Sequence, residues 1–465
     1  MPIFEPMQII KRMRSIVLLC IVQLFIVATV KAQQSPKCAF DKTVKAIIEK
    51  NPSFADVYRE VKAGARYSGR AMAKGTANLD APVIPIVFHV ILTDVQQKRI
   101  KDSAGIIQRI HSQVDALNRD FNAQNADSAS IPGGFKSLFG NTGVSFALAH
   151  TAPDGSPTPG YEIITTDIPG FNLEGGAGSG FGFSSAKHAE GGGVDAWDTD
   201  SYLNIWLINT LEDGVPTNIL GLAIPTYIAA DNNGIGYEER GIVMHFAAFG
   251  VRDSQFDYYI KGSDQGRTLT HEAGHYLDLL HIWGDDEGKC PENGGADDGI
   301  ADTPPQAYSS SGCYAYPKYD ACTKTGDGIM YMNYMDYSID ACATMFTHQQ
   351  ADKMRAAIMP GGDVYALTQH PWLLLYPDAA NPIVDNDYVI YPNPADDRVN
   401  ITFRKQPGGL KGIFITDLTG RVVATEAYDR QAGFYTFSVA GLFSGMYLVV
   451  LDFETGRQVR KIFVR

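Results

Sequence analysis

The sequence predicts an α+β chain that ends in a separate, small β-sandwich, and three observations predict it. An apolar, strand-like run begins at Val83, and a helix-periodic stretch over 106–122 follows it. There Ile106, Ile107, Ile110, Val114, Leu117 and Phe121 recur on one face. Residues 271–275 carry His271 and His275 four positions apart, which is helical spacing. The final stretch alternates polar and apolar residues in short runs separated by turn formers, the pattern of a sandwich. The length, 465 residues, suggests about three domains.

From the N-terminal end, Lys11, Arg12 and Arg14 precede an apolar run from Ser15 to Val30, then Lys31 and Ala32. This reads as a secretory signal over 1–32, cleaved after Ala32 and taking Cys20 with it. The run, about 16 residues, is short for a membrane span, and no other stretch approaches that length. Residues 33–80 are polar and helix-prone. They end in a small-residue, basic stretch at 64–74 that suits an exposed linker where cleavage occurs. From Tyr161 to Gly193 the chain is rich in glycine and is expected to form long surface loops rather than packed structure. After a linker over 361–385 dotted with Pro371, Pro377 and Pro382, residues 386–465 hold the β runs. These lie at 389–394, 399–403, 412–417, 418–423, 435–439, 445–450 and 461–465. Net charge is −13, with no basic stripe, so nucleic-acid binding finds no support.

The chemistry concentrates at 271–281. On a helix His271 and His275 project from one face and can share a metal, with Glu272 beside them to activate a water. An unbroken helix would carry His281 about 15 Å along the axis from His271, at about 1.5 Å per residue, out of reach of the same ion. The chain must therefore turn between His275 and His281. The usual device for such a turn is a residue in the left-handed region. Downstream, Asn333-Tyr334-Met335-Asp336-Tyr337 offers a polarizable Met and a phenol.

These two motifs, with the phrases at 82–90, 202–207, 281–284 and 302–304, resemble the pappalysin family of metzincin zinc peptidases and its cytophagalysin-like branch. The metzincin signature has glycine at the turn where this chain has Asp278, and aspartate is among the few other residues that enter the left-handed region with tolerable strain, so the resemblance implies the turn there. The resemblance spans about 81–360. It implies a metzincin-like catalytic domain, with a twisted mixed sheet and helices above and an irregular lower part below. In such a domain His271, His275 and His281 hold zinc, Glu272 is the general base, Met335 lies beneath the histidines as the Met-turn, and Tyr337 steadies an oxyanion. Protein or peptide substrates would pair with an edge strand, taken as 218–224. Relatives often cut before basic residues, and Asp340 is the candidate acid for that pocket.

The same resemblance bears on the cysteines and the acidic loop. Cys290, Cys313, Cys322 and Cys342 allow three pairings, and the family pattern implies Cys290–Cys322 and Cys313–Cys342. Cys38, left over in an exported chain, sits where related pro-segments carry a thiol that blocks the metal's open position, keeping a zymogen latent. The acidic, glycine-rich loop after Gly284 suits Ca²⁺, which takes oxygen ligands in forgiving geometry. Asp298, Asp302 and Thr303 are its candidate ligands. Residues 386–465, with Tyr391-Pro392-Asn393-Pro394, Asp417-Leu418-Thr419-Gly420-Arg421 and the last five residues, resemble the type IX secretion sorting domain. That implies export through an outer membrane by the type IX machinery, while the lack of another membrane-length apolar stretch leads us to expect no transmembrane anchor beyond the signal. The competing reading is a surface adhesin or binding module on a disabled peptidase scaffold. Retention of three histidines and Glu272 argues against it.

Overall fold

A computed structural model describes residues 37–62, 82–175, 180–229, 235–254, 258–285, 288–293, 297–374, 383–384, 388–395, 397–403, 409–425 and 434–464. The signal, its cleavage point, Cys20 and the basic linker at 64–74 lie outside these. Among the described residues, no helix is long and apolar enough to cross a membrane.

The catalytic sheet grows from β1 (Val83–Leu92), whose apolar residues are buried on both faces, as a central parallel strand requires. β2 (Ser145–Leu148) and β3 (Tyr161–Thr165) pair with β1 in parallel along one side, and β4 (Leu203–Ile208) pairs with it in parallel along the other. β5 (Gly241–His245) extends β4 in parallel, and β6 (Gly221–Ile224) closes the sheet as an antiparallel edge. The period-2 alternation sorts the core. Ile84, Ile86, Phe88, Ile205, Leu207, Ile242 and Met244 share one face with two helices, α1 (Asp102–Phe121) and α2 (Arg267–Tyr276). Ile91, Trp206, Ile208 and Val243 share the opposite face with α3 (Phe40–Lys50) and α4 (Phe54–Lys62), which lie N-terminal in the chain.

The glycine-rich stretch departs from expectation. Its start is strand β3, and Phe171, Leu173, Phe183 and Ala186 are buried in the second core. Glycine is the reason. Gly182, at φ +62°, brings the backbone so close to Leu222 and Ile224 that an added Cβ would stand 3.0 and 3.3 Å from them.

Below the sheet the described residues between Leu277 and Thr347 are mostly irregular and are braced by disulfides Cys290–Cys322 and Cys313–Cys342. This part ends in α5 (His348–Ile358), opened by a capping box at Thr347 and Gln350. The C-terminal part holds two four-stranded antiparallel sheets. Ile390, Val399, Ile401 and Phe437 of one sheet meet Ile413, Ile415, Val449 and Leu451 of the other in one core, making a sandwich. The strand expected at 418–423 is in fact a turn with a strand over Val422–Thr425. Asp417 accepts from the Thr419 and Arg421 amides and holds the turn.

Candidate metal centre

α2 begins at Gly266, at φ +81°, and its first turn is capped from outside. Asp340 Oδ2 accepts from the amides of Gln265 (2.7 Å) and Arg267 (3.3 Å). Asp340 is 4% exposed, so the specificity-pocket role expected of it is not supported. Its carboxylate is spent on the helix N-terminus, where the dipole favours a negative charge. Arg267, at the same end, pairs with Asp120 and Asp127.

At the other end the helix stops where the third histidine needs it to stop. Leu279 N–H donates to Gly274 O (2.9 Å) and Asp278 N–H to His275 O (3.0 Å), the paired bonds of a Schellman cap. Asp278 takes the left-handed position at φ +71°. The reversal brings His281 back, so its Nε2 lies 3.1 Å from His275 Nε2, which in turn lies 3.2 Å from His271 Nε2.

The far nitrogens fix the tautomers. His271 Nδ1 donates to Tyr334 O (2.6 Å), His275 Nδ1 to Leu279 O (2.8 Å), and His281 Nδ1 to the buried Asp285 carboxylate (2.7 Å). Carbonyl oxygens only accept, so Nδ1 carries the proton and each Nε2 presents a lone pair inward. Converging lone pairs repel unless a cation lies among them. Four tetrahedral ligands at zinc–nitrogen bond length stand about 3.4 Å apart, close to the spacing seen. Cys38 Sγ belongs to the same cluster, with all four ligand atoms within 4.8 Å of one another. Among the described residues no other group of His, Cys, Asp or Glu was found with such an arrangement. The donor set fits a metal.

Glu272 is fully buried beside the cluster, and Cys38 S–H donates to its Oε2 at 3.4 Å. Burial pushes the Glu272 carboxyl up to about 8, against the Cys38 thiol and the Ala223 amide, which favour its charge. Burial and the Glu272 charge raise the Cys38 thiol, and burial lowers His275. A divalent cation among these groups would oppose the rise of Glu272 and Cys38 and would favour the neutral His275 that burial already favours. The edge strand passes directly over Glu272. An added Cβ at Gly221 would stand 2.6 Å from Glu272 Cγ and Oε1, so only glycine fits there.

Met335 is fully buried under α2, and a Cβ on Gly274 would come within 2.5 Å of its Sδ. Ile282 N–H donates to Met335 O at 3.2 Å, tying this turn to the loop that carries His281. Tyr337 lies 5.7 and 5.0 Å from the His271 and His281 rings, and its hydroxyl donates to Cys38 O at 3.2 Å. The N-terminal segment fills the cleft in parallel with the edge: Ala39 N–H donates to Gly221 O (3.1 Å), and Phe40 stacks on His275 at 4.3 Å.

The candidate calcium ligands take part in two hydrogen-bonded groups. Thr303 Oγ1 donates to both Asp298 oxygens (2.9 and 3.0 Å). Asp302 instead accepts from Thr347 Oγ1 (2.6 Å) and Gln349 N–H (3.0 Å), capping α5. Sequence reasoning missed three participants: Asp285, Phe40, and Trp283, which stacks on His281 at 4.3 Å. Only Asp285, four residues after His281, left a readable signal.

With the geometry in hand, comparison with known proteins is specific. The family model for peptidase family M43, described as pregnancy-associated plasma protein-A, matches residues 193–359, and the secretion system C-terminal sorting domain matches 389–465. An extracellular metalloprotease of Arthroderma gypseum is 28% identical over 304 residues, 65% of this chain and 80% of that protein. One from Arthroderma benhamiae is 43% identical over 93 residues, only 29% of its length. Mature mirolysin of Tannerella forsythia, solved with a cleaved peptide, is 37% identical with a TM-score of 0.52. The match covers 62% of this chain and 95% of that one. A promirolysin variant from the same organism is 33% identical with a TM-score of 0.57, covering 72% and 97%.

Proposed function

The chain belongs to the pappalysin family of metallopeptidases and carries a secretion sorting domain, and from that premise we propose a zinc endopeptidase held latent by its own N-terminal segment. It is a secreted or cell-surface metalloendopeptidase, made as a zymogen, that acts on protein substrates. Zinc is the proposed metal. The observation that carries this reading is the convergence of three lone-pair Nε2 atoms whose Nδ1 protons are all engaged elsewhere.

Zinc held by His271, His275 and His281 would polarise the scissile carbonyl and make water acidic enough to ionise near neutral pH. Glu272 takes the proton of the attacking water and returns it to the leaving amine. Tyr337 donates to the oxyanion. Its bond to Cys38 O supports that role, since this carbonyl belongs to a chain laid along β6, where a substrate backbone would pair. Met335 packs as a floor that fixes α2 against the His281 loop.

In the latent state Cys38 Sγ takes the position a water would occupy. Residues 33–80 are assigned as the pro-segment, 81–360 as the catalytic domain and 386–465 as the sorting domain. Preference for cutting before basic residues rests on the family resemblance alone, since Asp340 is unavailable to a substrate. Calcium at Asp298, Asp302 and Thr303 remains a proposal, with Asp302 also accepting from Thr347 Oγ1 and Gln349 N–H.

The test is cleavage of a denatured protein by the processed enzyme, wild type beside Glu272→Ala, with zinc content measured in both. Cleavage by wild type alone, at one zinc per chain in each, is expected. Equal cleavage by Glu272→Ala would remove Glu272 from the base role.

A further inference from the structure

Tyr337 loses a hold when the N-terminal segment leaves. In the latent chain its hydroxyl donates to Cys38 O at 3.2 Å, and that carbonyl departs with the segment. The phenol must still point where an oxyanion would form. Ordering a side chain costs rotamer freedom, so the aim has to be built into the groups that stay.

Three rings stay. Tyr337 meets His271 at 5.7 Å, His281 at 5.0 Å and Trp283 at 4.7 Å between centroids. Two of them belong to the proposed metal ligands, whose own Nδ1 bonds set their orientation. The nearest, Trp283, meets Tyr337 edge to face at 70°, an arrangement that ring quadrupoles favour.

A tight turn puts Trp283 there. Gly284 N–H donates to His281 O at 2.9 Å, and Gly284 takes φ +69°, where glycine is unstrained. The turn folds Trp283 back over His281, two residues earlier, in a parallel stack at 4.3 Å with the ring planes 11° apart. In the latent chain Lys62 Nζ also donates to Gly284 O. The bonds that shape the turn, from Gly284 N–H to His281 O and from Ile282 N–H to Met335 O, do not involve the N-terminal segment. Trp283 packs in addition on a lower core cluster that includes Ile282, Met330, Tyr331 and Met332. It thus touches Tyr337 from a fixed place, since close-packed neighbours leave a ring little freedom.

We propose that Trp283 is a positioning residue for Tyr337: stacked on His281 and seated in the lower core, its ring keeps the phenol aimed at the oxyanion after Cys38 O has gone. Trp283 neither ligates the metal nor moves a proton. It acts through Tyr337, and its role rests on the reading of Tyr337 given above.

The experiment is a double-mutant cycle on the processed enzyme. It reads kcat and KM on a peptide, affinity for a phosphinic peptide whose phosphinate oxygens stand in for the oxyanion, and zinc affinity by chelator competition. Tyr337→Phe is expected to lower kcat about 100-fold, the low end for loss of an oxyanion donor. Trp283→Leu is expected to lower kcat about tenfold, as when a reacting group is slightly misplaced. It should weaken the phosphinic peptide by a similar factor, with KM and zinc affinity unchanged. In a Tyr337→Phe background Trp283→Leu should cost less than about twofold, because no hydroxyl remains to aim. Trp283→Phe, which keeps an aromatic face, should recover most of the rate. Equal losses in both backgrounds, a loss that follows zinc affinity, or no recovery with Trp283→Phe overturns the proposal. If Trp283→Leu does not fold, Trp283→Met carries the same cycle, and failure of both to fold marks Trp283 as core packing and overturns the idea. A processed wild type that binds no zinc, or a Tyr337→Phe enzyme with unchanged kcat, overturns the reading of the site together with this inference. Wild-type rates in Trp283→Leu beside an impaired Tyr337→Phe remove this inference alone.

Discussion

His281 depends on a single carboxylate. Asp285, 2.7 Å from its Nδ1, sets the tautomer and turns the ring inward. Asp285→Ala should therefore weaken zinc affinity about 10- to 100-fold while leaving His271 and His275 bonded to their backbone carbonyls, which chelator competition would read. Unchanged affinity would mean that the backbone alone aims the ring. A second residue-scale prediction concerns latency. Cys38 is one of several holds on the cleft, with the Phe40 stack on His275, the Ala39–Gly221 bond and the Tyr337 bond to Cys38 O. Unprocessed Cys38→Ala should keep part of its latency, and Cys38→Ala/Phe40→Ala should lose it. Full activity in the single variant would leave the thiol as the whole lock. The spacing of His271, Glu272, His275 and His281 was legible because helix geometry fixes what residues four apart can do. Phe40 was not, because nothing local to residue 40 says which ring 235 positions later it will meet.

Among elements, the closeness of β6 and α2 decides the site. Gly221 leaves room for Glu272, and an added Cβ would stand 2.6 Å from its carboxylate oxygen. Gly221→Ala should lower kcat about tenfold or more, as expected when a reacting group moves by about an ångström, with zinc affinity unchanged. Loss of zinc instead of rate would show that the strain falls on the histidines. The helix over 106–122 could be read from periodicity, β1 from its apolar run, and a turn between His275 and His281 from the need to bring His281 back. Asp340 could not. Its position just past the Met335 turn suggested a pocket acid, but tertiary folding delivers it to the start of α2, where two amides lacked acceptors. Residues 418–423 read as a strand by composition, yet Asp417 side-chain bonds win locally and make a turn.

For the molecule as a whole, stability should depend on pH through His245, at the end of β5. Burial holds its pKa down to about 4, and its Nδ1 accepts from Ala247 N–H. The unfolded state, with an ordinary His pKa of about 6.5, takes up the proton first. The contribution is therefore whole above about pH 6.5 and is lost as pH falls toward 4, by up to about 3 kcal/mol. Urea unfolding between pH 7 and pH 4 would check this, with a shallower slope expected for His245→Gln. Division into a catalytic unit and a sandwich was legible from the change of period near residue 386. Pairing of the four lower cysteines was not, since spacing left three choices open and only family resemblance chose. The central claim is that one zinc is held by three histidines, with Cys38 as the fourth ligand until the N-terminal segment leaves. X-ray absorption at the zinc edge, on the full chain before and after processing, tests it most directly. The account predicts three imidazole nitrogens and one sulfur at about 2.3 Å before processing, and the same nitrogens without sulfur after it. Fewer than three imidazoles, or no sulfur in the unprocessed chain, would contradict it.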